Sequence, residues 1–365
     1  MKKEIETILL GEPGLKAKAI AKKLDVENRE VNSILYNHPA HFHKTEDHCW
    51  YFTEEPTVFI PLKGDSWVDS DSFEHSLAAV GSVLDRPEPA IFFFVPEGCK
   101  ILLEAAVRLM ALSNQLCLKG KAVTIDFTSY TTTLTYFDRL GFFSCLNEGV
   151  RVVPERPKIS RAVSYKGNND GVMEFGTIDP KAPDENLPKQ LKECFSKHAG
   201  EPHSKPAFTL LSELFGNVRD HAKSPIPGFA ALQRYGRGKY AHLQTVISDS
   251  GSGIVGTLRP ILPDRYPDLA KKFDVSRPES DALLLIEVFK IGGVSSSSDD
   301  GRGLGLKRSG DVAAKFNGSI TVRQENFEVK IQYSDGILSN SSYVLDMPRI
   351  YGSHICFDFS LDGIK

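Results

Sequence analysis

The 365-residue chain has no pair of cysteines at C-x-x-C spacing. Its six cysteines (49, 99, 117, 145, 194 and 356) are scattered, which argues against a disulfide frame or a four-cysteine zinc site. It has no apolar run near the roughly 20 residues of a membrane span; runs such as IFFFV at 91–95 and LLLI at 283–286 are far too short. It has almost no net charge. Its 44 Lys and Arg stand against 47 Asp and Glu, −3 at pH 7, so no global field draws in nucleic acid or anionic membrane. The opening MKKEIETILLGEPG breaks its apolar patch with Glu and Gly, unlike the apolar core of a signal peptide. Internal repeats and long low-complexity stretches are also missing. With 41% apolar and 25% charged residues the composition is that of a globular protein. The length suggests two or three domains at roughly 150 residues each. The expectation is a soluble, cytoplasmic, multidomain α/β and α+β protein.

Residues 1–55 read as three short helices and a β-hairpin. Apolar residues at 5, 8 and 9 mark a helix over 2–10, and Leu, Ala and Ile recur at helical spacing over 15–24. A third helix over 28–36 puts Val31, Ile34 and Leu35 on one face, with Asn28 as its N-cap. HFHKTEDHCWYF then gives two extended pieces around a turn at 45–47. This order resembles a winged-helix domain, whose third helix reads the groove. Lys16, Lys18, Lys22, Lys23, Arg29 and Lys44 could meet phosphates, but acidic residues are interspersed. Targeting to protein or to DNA is therefore open. His38, His41, His43, His48 and Cys49 crowd the same region. Zinc would need tetrahedral convergence, and His41 and His43 would share a strand face. Polar hairpins often carry histidine without metal, so no zinc is expected.

After a Pro-, Asp- and Ser-rich stretch at 54–71, residues 90–153 alternate strand and helix. The pieces are AIFFFV, an amphipathic helix over 98–117, KAVTIDF at 121–127, and a short helix over 131–140. Such alternation implies a parallel sheet. The segment AVTIDFTSYTTTLTYFDRLGFF resembles the STAS-like fold of anti-sigma-factor antagonists, giving a module over 56–153. In that family a hydroxyl at the start of the following helix is phosphorylated. Thr128, Ser129 and Thr131 to Thr133 fall there, without the family's Asp-Ser-Ser-Gly signature. Capping of the helix by Ser129 or Thr131 is the simpler role. Residues 154–183 read as a connector, or as including a first strand VMEFGTI at 172–178.

The chemistry concentrates in 184–365. PAFTLLSELFGNVRDH at 206–221 reads as a helix burying Phe208, Leu211, Leu214, Phe215 and Val218. Glu213 and Asn217, four apart, project from one face, with Asp220 and His221 a turn later. The carboxylate can take a proton from a nucleophile, and the neutral amide can hold Mg²⁺ beside phosphates. Next, YAHLQTVISDSGSGI runs a strand over 240–248 into Asp249, Gly251 and Gly253. A carboxylate there can accept from a base's exocyclic amine while glycines let backbone approach closely. Last, GGVSSSSDDGRGLGL places Gly301, Gly303, Leu304 and Gly305 before a helix over 307–316. A glycine-rich loop at a helix N-terminus offers free N–H groups to phosphates. It lacks the G-K-[ST] of a P-loop, and it is no G-x-G-x-x-G after a strand.

In this order, ELFGNVRDH, DSGSG, GRGLGL and the terminal GSHICFDF resemble the N box, the two glycine boxes and the last box of the GHKL superfamily, with its Bergerat ATP-binding fold. Ser353 stands where that family has threonine. The resemblance implies ATP and Mg²⁺ as ligands, with Asn217 on the metal and Asp249 on the adenine amine. It implies Ser353 near the base, Gly251, Gly253, Gly301, Gly303, Leu304 and Gly305 around the nucleotide, and 254–300 as a lid. It also implies Glu213 as general base, and His221 beside the site as in anti-sigma kinases.

A histidine kinase would need a phosphoacceptor segment like H-E-x-R-x-P-L, which is absent. The expectation is thus an ATPase that drives a conformational switch between winged-helix and STAS-like domains. A Ser/Thr kinase of the anti-sigma type and a non-hydrolysing ATP sensor are the alternatives. Protein partners, weaker DNA contact through the N-terminal unit, and a homodimer are compatible with this plan; a membrane is not part of it.

Overall fold

The structure, a computed structural model, describes residues 1–63, 67–165, 169–200, 204–221, 224–236, 240–291, 294 and 305–361. It is a mixed α/β chain with parallel and antiparallel sheets. Among the described residues no helix is long and apolar enough to cross a membrane.

The first 52 residues form helices Lys2–Gly11, Ala17–Leu24 and Asn28–Asn37, and a small antiparallel sheet in the order Leu15–Lys16, Cys49–Phe52, Phe42–Lys44. Helical spacing puts Ile5 with Leu9 and Val31 with Leu35 into one core with Ile20, Phe42 and Trp50. Two local expectations fail. Leu15 is extended, because it pairs with Trp50. Asn28 is the first helical residue, behind Glu27 at the N-cap. The hairpin does not stand apart from the rest. His43 stacks on Phe59 at 5.2 Å, and Tyr51 lies 5.0 Å from Phe94.

Phe59 and Phe94 belong to a four-stranded parallel sheet, Thr57–Pro61, Ala90–Phe94, Ala122–Asp126 and Arg151–Val153, in chain order. Its first strand falls in the stretch read from sequence as irregular. The helix expected at 98–117 is Leu103–Leu118, and it is not amphipathic, since all of 105–116 is buried. A helix buried on every side must lie inside a core. This one does, because its apolar cluster includes residues of two sheets, Ile91 and Ile125 on one side, Phe229, Val246 and Cys356 on the other. The Thr131–Arg139 helix has Tyr130 at its N-cap with no side-chain cap, and the Ser129 hydroxyl bonds Tyr51 instead.

The second sheet has seven antiparallel strands, in the order Val172–Ile178, Gly228–Tyr235, His242–Ser248, Ser353–Ser360, Ser319–Gln324, Phe327–Ser334, Ile337–Val344. VMEFGTI is therefore an edge strand rather than linker. The strand expected from Tyr240 begins at His242, and Tyr240 is exposed. Asp335 and Gly336, both at positive φ, form the two-residue turn of the last hairpin. Alternation assigns the faces. Leu243, Ile247, Ile320, Val322, Ile355 and Phe357 meet helices Leu187–Ala199, Ser204–His221, Ser280–Ile291 and Gly305–Lys315. The opposite face meets Leu103–Leu118.

That second junction carries buried charge. Arg108, fully buried, reaches Glu74 (2.8 Å), Glu104 (2.7 Å) and Glu328 (2.6 Å), and Arg323, also fully buried, reaches Glu74 at 2.9 Å. Burial pulls the Glu74 carboxyl up, but Arg108 and Arg323 hold it below the usual carboxylate range. For Glu104 burial prevails over Arg108, and its carboxyl is raised.

Candidate functional site

The central strand His242–Ser248 ends at Asp249, which is buried, 8% exposed. Asp249 N–H donates to the Ser353 carbonyl at 2.9 Å, locking it to the start of the neighbouring strand Ser353–Ser360. Its carboxyl accepts from the Gly251 N–H at 2.8 Å and from the hydroxyl and N–H of Ser353. Burial pushes this carboxyl above the ordinary aspartate range, opposed by those donors. The Ser353 hydroxyl in turn accepts from Gln324 Nε2 (2.8 Å) and from Ile254 N–H (3.2 Å). One donor and two acceptor positions of a hydroxyl are thereby in use, so its orientation is fixed. Gln324 Oε1 accepts from Val255 N–H at 3.1 Å, and Gly253 opens the short helix Gly253–Leu258 above it. By strand alternation Asp249, Ser353 and Gln324 all lie on the face covered by helices.

Gly352 makes this closeness possible. Its φ is +95°, and a Cβ there would collide with the Asp249 carbonyl, 2.6 Å from the carbon and 2.8 Å from Ser250 Cα.

The Ser204–His221 helix packs on the same face. Leu210, Leu211, Leu214, Phe215 and Val218 are buried, whereas Phe208 is 42% exposed, contrary to the sequence expectation. At 100° per residue Phe208 falls on the flank of the buried stripe rather than in it. Glu213 is half-buried and Asn217 exposed, one turn apart along the edge of that stripe. A second glycine brings this helix to the strand end. A Cβ on Gly228 would collide with Val218 Cγ1 and lie 2.9 Å from the Ser248 carbonyl oxygen. Val218 follows Asn217 and Ser248 precedes Asp249, so the Ser204–His221 helix and the Asp249 turn meet across one residue without a side chain. Gly305 begins the Gly305–Lys315 helix, which packs beside Ser204–His221. Gly301, Gly303 and Leu304 lie outside the described residues, as does the side chain of His221.

Residues 254–291 differ from a simple lid. They form helices whose Leu258, Leu262, Ala282, Leu284, Leu285 and Val288 are in the core. Arg259 ties them together through Asp281 (2.7 Å), Ser280 (2.9 Å) and the Phe273 carbonyl. The near-continuous apolar run in DALLLIEVFK was the available signal, since a helix apolar on most sides lies in a core. The remainder of the expected lid, 292–300, lies outside the described residues except for Val294.

Two hydroxyls of the first α/β unit serve structure, Ser129 by bonding Tyr51 and Thr133 by a buried bond, while Thr128, Thr131 and Thr132 are exposed. Thr133 is 2% exposed, and its hydroxyl donates to the Cys99 carbonyl at 2.5 Å. In the N-terminal hairpin His38, His41 and His43 bond the Ile34 carbonyl, the Thr53 carbonyl and the Thr53 hydroxyl respectively. Among the described residues no three His, Cys, Asp or Glu side chains are grouped to hold a metal ion. Magnesium bound through phosphates needs only one or two protein oxygens, so it does not depend on such a group.

Sequence reasoning missed Gln324, Gln115 and the Arg108–Arg323 network. For Gln324, the alternation that puts it on the same strand face as Ile320 and Val322 was the available signal. Neither a family model, nor a curated protein, nor a solved structure matches this chain, so its site is read from its own geometry.

Proposed function

We propose that the chain is a Mg-ATP-binding regulator of the GHKL type that hydrolyses ATP to shift its domains relative to one another. In this reading residues 1–55 are a winged helix used for targeting, and the parallel-sheet unit is a STAS-like coupling module. The observation that carries the reading is the locked pair of Asp249 and Ser353 on the helix-covered face of a seven-stranded sheet, with the Glu213–Asn217 helix seated beside it through Gly228. A carboxylate has about four acceptor positions. Three donors from Gly251 and Ser353 leave one for an exocyclic amine of the base. Buried, that carboxylate gains more from a new donor than an exposed one would.

Each remaining residue has a role in the same scheme. Asn217 offers an exposed, uncharged oxygen to Mg²⁺ at the phosphate end. Gly305 opens a helix whose N-terminal N–H groups suit phosphate oxygens. Glu213, half-buried one turn away, orients the attacking water and accepts its proton. Bound Mg²⁺ would neutralise charge developing on the phosphates.

Water is favoured over a hydroxyl of the same chain as the attacking group. The parallel-sheet unit packs on the sheet face opposite the Ser204–His221 helix, and Thr133 is buried and bonded. The test is incubation with γ-labelled ATP and Mg²⁺, following free phosphate and protein-bound label together. Free phosphate that disappears in Glu213→Ala, with ATP binding lost in Asp249→Asn, supports the ATPase. Label on the protein would make it a kinase, and retained ATP binding in Asp249→Asn would overturn the site.

A further inference from the structure

Gln115 is 3% exposed on the Leu103–Leu118 helix, and its carboxamide is spent on the other sheet. Oε1 accepts from the Tyr351 N–H at 2.9 Å. Nε2 donates to the Tyr351 carbonyl and to the Ser250 hydroxyl, each at 2.9 Å. Ser250 directly follows Asp249, and Tyr351 directly precedes Gly352 and Ser353. One side chain from the parallel-sheet unit thus holds both turns that carry the Asp249–Ser353 pair. Lys119, on the next turn, adds a grip on Tyr351: its Nζ lies 3.3 Å from the phenol oxygen and 5.2 Å from the ring centroid.

The chemistry of Gln115 is specific to this task. Its partners are uncharged, and a carboxamide both donates and accepts, so it pairs with the Tyr351 backbone as a neighbouring strand would. Glutamate could not supply the two donated bonds, and leucine could supply none. Gln115 also shares a helix face with Glu104 and Arg108, because eleven residues make about three turns. That face is the polar stripe by which the helix meets the antiparallel sheet. The stripe therefore runs from the buried ion network to the turns beneath Asp249.

We infer that Gln115 is a positioning residue that sets the seat of the nucleotide base, so that the parallel-sheet unit governs base affinity and selectivity through it; this rests on the nucleotide reading above. Gln115 touches neither base nor phosphate. It fixes the two turns whose spacing decides whether Asp249 meets a 6-amino group, as in adenine, or a 6-oxo group, as in guanine. A site built to pair with a donor rejects an acceptor placed there. Reciprocity of coupled equilibria requires the converse, that a seated base bears on how the parallel-sheet unit docks.

The experiment compares Gln115→Met, which keeps volume and removes the three hydrogen bonds, with Leu112→Ala. Leu112 is a fully buried member of the apolar cluster on the same helix. ADP and GDP affinities are measured by calorimetry in the full chain, and amide exchange in the ligand-free protein. Gln115→Met should weaken ADP about five- to tenfold and lower the ADP-over-GDP preference. Leu112→Ala should lower the melting temperature and keep that preference. Wild-type affinity and preference in Gln115→Met, or equal loss of preference in both variants, overturns the positioning role. If the wild type binds neither nucleotide, the nucleotide reading has failed, and exchange reads the positioning by itself. Faster exchange of the Gly251 and Ile254 amides in Gln115→Met, with 243–247 unchanged, supports it; unchanged exchange overturns it.

Discussion

The Gly352 Cα and the Asp249 carbonyl stand so close that a methyl group cannot be placed between them. This contact aligns the Ser353 hydroxyl with the Asp249 carboxyl, and its loss should separate the pair. Gly352→Ala is expected to lose about 1–2 kcal/mol of stability from left-handed strain, with the clash adding to it, and, in the proposed scheme, to lose nucleotide binding. Urea unfolding and calorimetry would check both. Retained binding with a destabilised fold would show that the contact serves packing only.

Glu213 sits one helical turn from Asn217 and away from the Asp249 turn in sequence. Removing its carboxylate should slow ATP hydrolysis by ~100-fold or more, the usual range for a general base. In the proposed scheme nucleotide affinity should change little, because the base is assigned to Asp249 and the phosphates to the Gly305 helix rather than to Glu213. Steady-state phosphate release in Glu213→Ala beside a binding isotherm separates the two effects, and undiminished release would remove Glu213 from the mechanism.

Arg108 is the shared partner of Glu74, Glu104 and Glu328. Arg108→Met strands buried Glu104 and Glu328 and leaves Glu74 to Arg323 alone, which should destabilise the protein by about 3–5 kcal/mol. Raising Glu104 and Glu328 to glutamine as well, giving a neutral cluster, should recover part of that loss. Denaturant midpoints of the single and triple variants are the measurement. No recovery would mean that packing of the guanidinium, and not its charge, holds the junction.

His43 predicts an acid limit. Burial, with the charge of His41 second, lowers it to about 4 from an ordinary 6.5. A base whose folded value is depressed binds protons more tightly when unfolded, so stability falls as pH drops from about 6.5 to about 4 and levels off below. The full difference is on the order of 3 kcal/mol. His43→Gln, which keeps a polar partner for Thr53, should flatten this part of the stability-versus-pH curve. An equally steep curve in the variant would place the acid sensitivity elsewhere, with buried His354, lowered to about 3, as the next group to test.

Glu213, Asn217 and Asp249 were singled out in the sequence by residue type and spacing at helix and strand ends, and Ser353 by the family resemblance. Glu213 and Asn217 lie on one helix and Ser353 opens a strand, while Asp249 follows the end of the neighbouring strand and is bonded to Ser353. What could not be read was tertiary. Leu103–Leu118 carries Glu104, Arg108 and Gln115 at helical spacing, which looks like a solvated stripe until a second sheet covers it. Thr57–Pro61 was hidden by its Pro- and Asp-rich flanks, although Val58 and Ile60 alternate as a strand requires. Residues 254–291 were read as a cover because family resemblance outweighed DALLLIEVFK, whose apolar content already called for a core.

The Leu103–Leu118 helix closes the interior of two sheets at once. During synthesis its inner flank is available as soon as the parallel strands emerge, but its outer flank must wait for strands ending at residues 248 and 360. At roughly 5–20 residues per second that is a delay of about 10–50 s, with Leu109, Leu112 and Leu116 beside a naked arginine. A ribosome-bound N-terminal half would therefore present a sticky, half-finished surface. The nascent chain should depend on a trigger-type chaperone far more than the finished protein depends on anything.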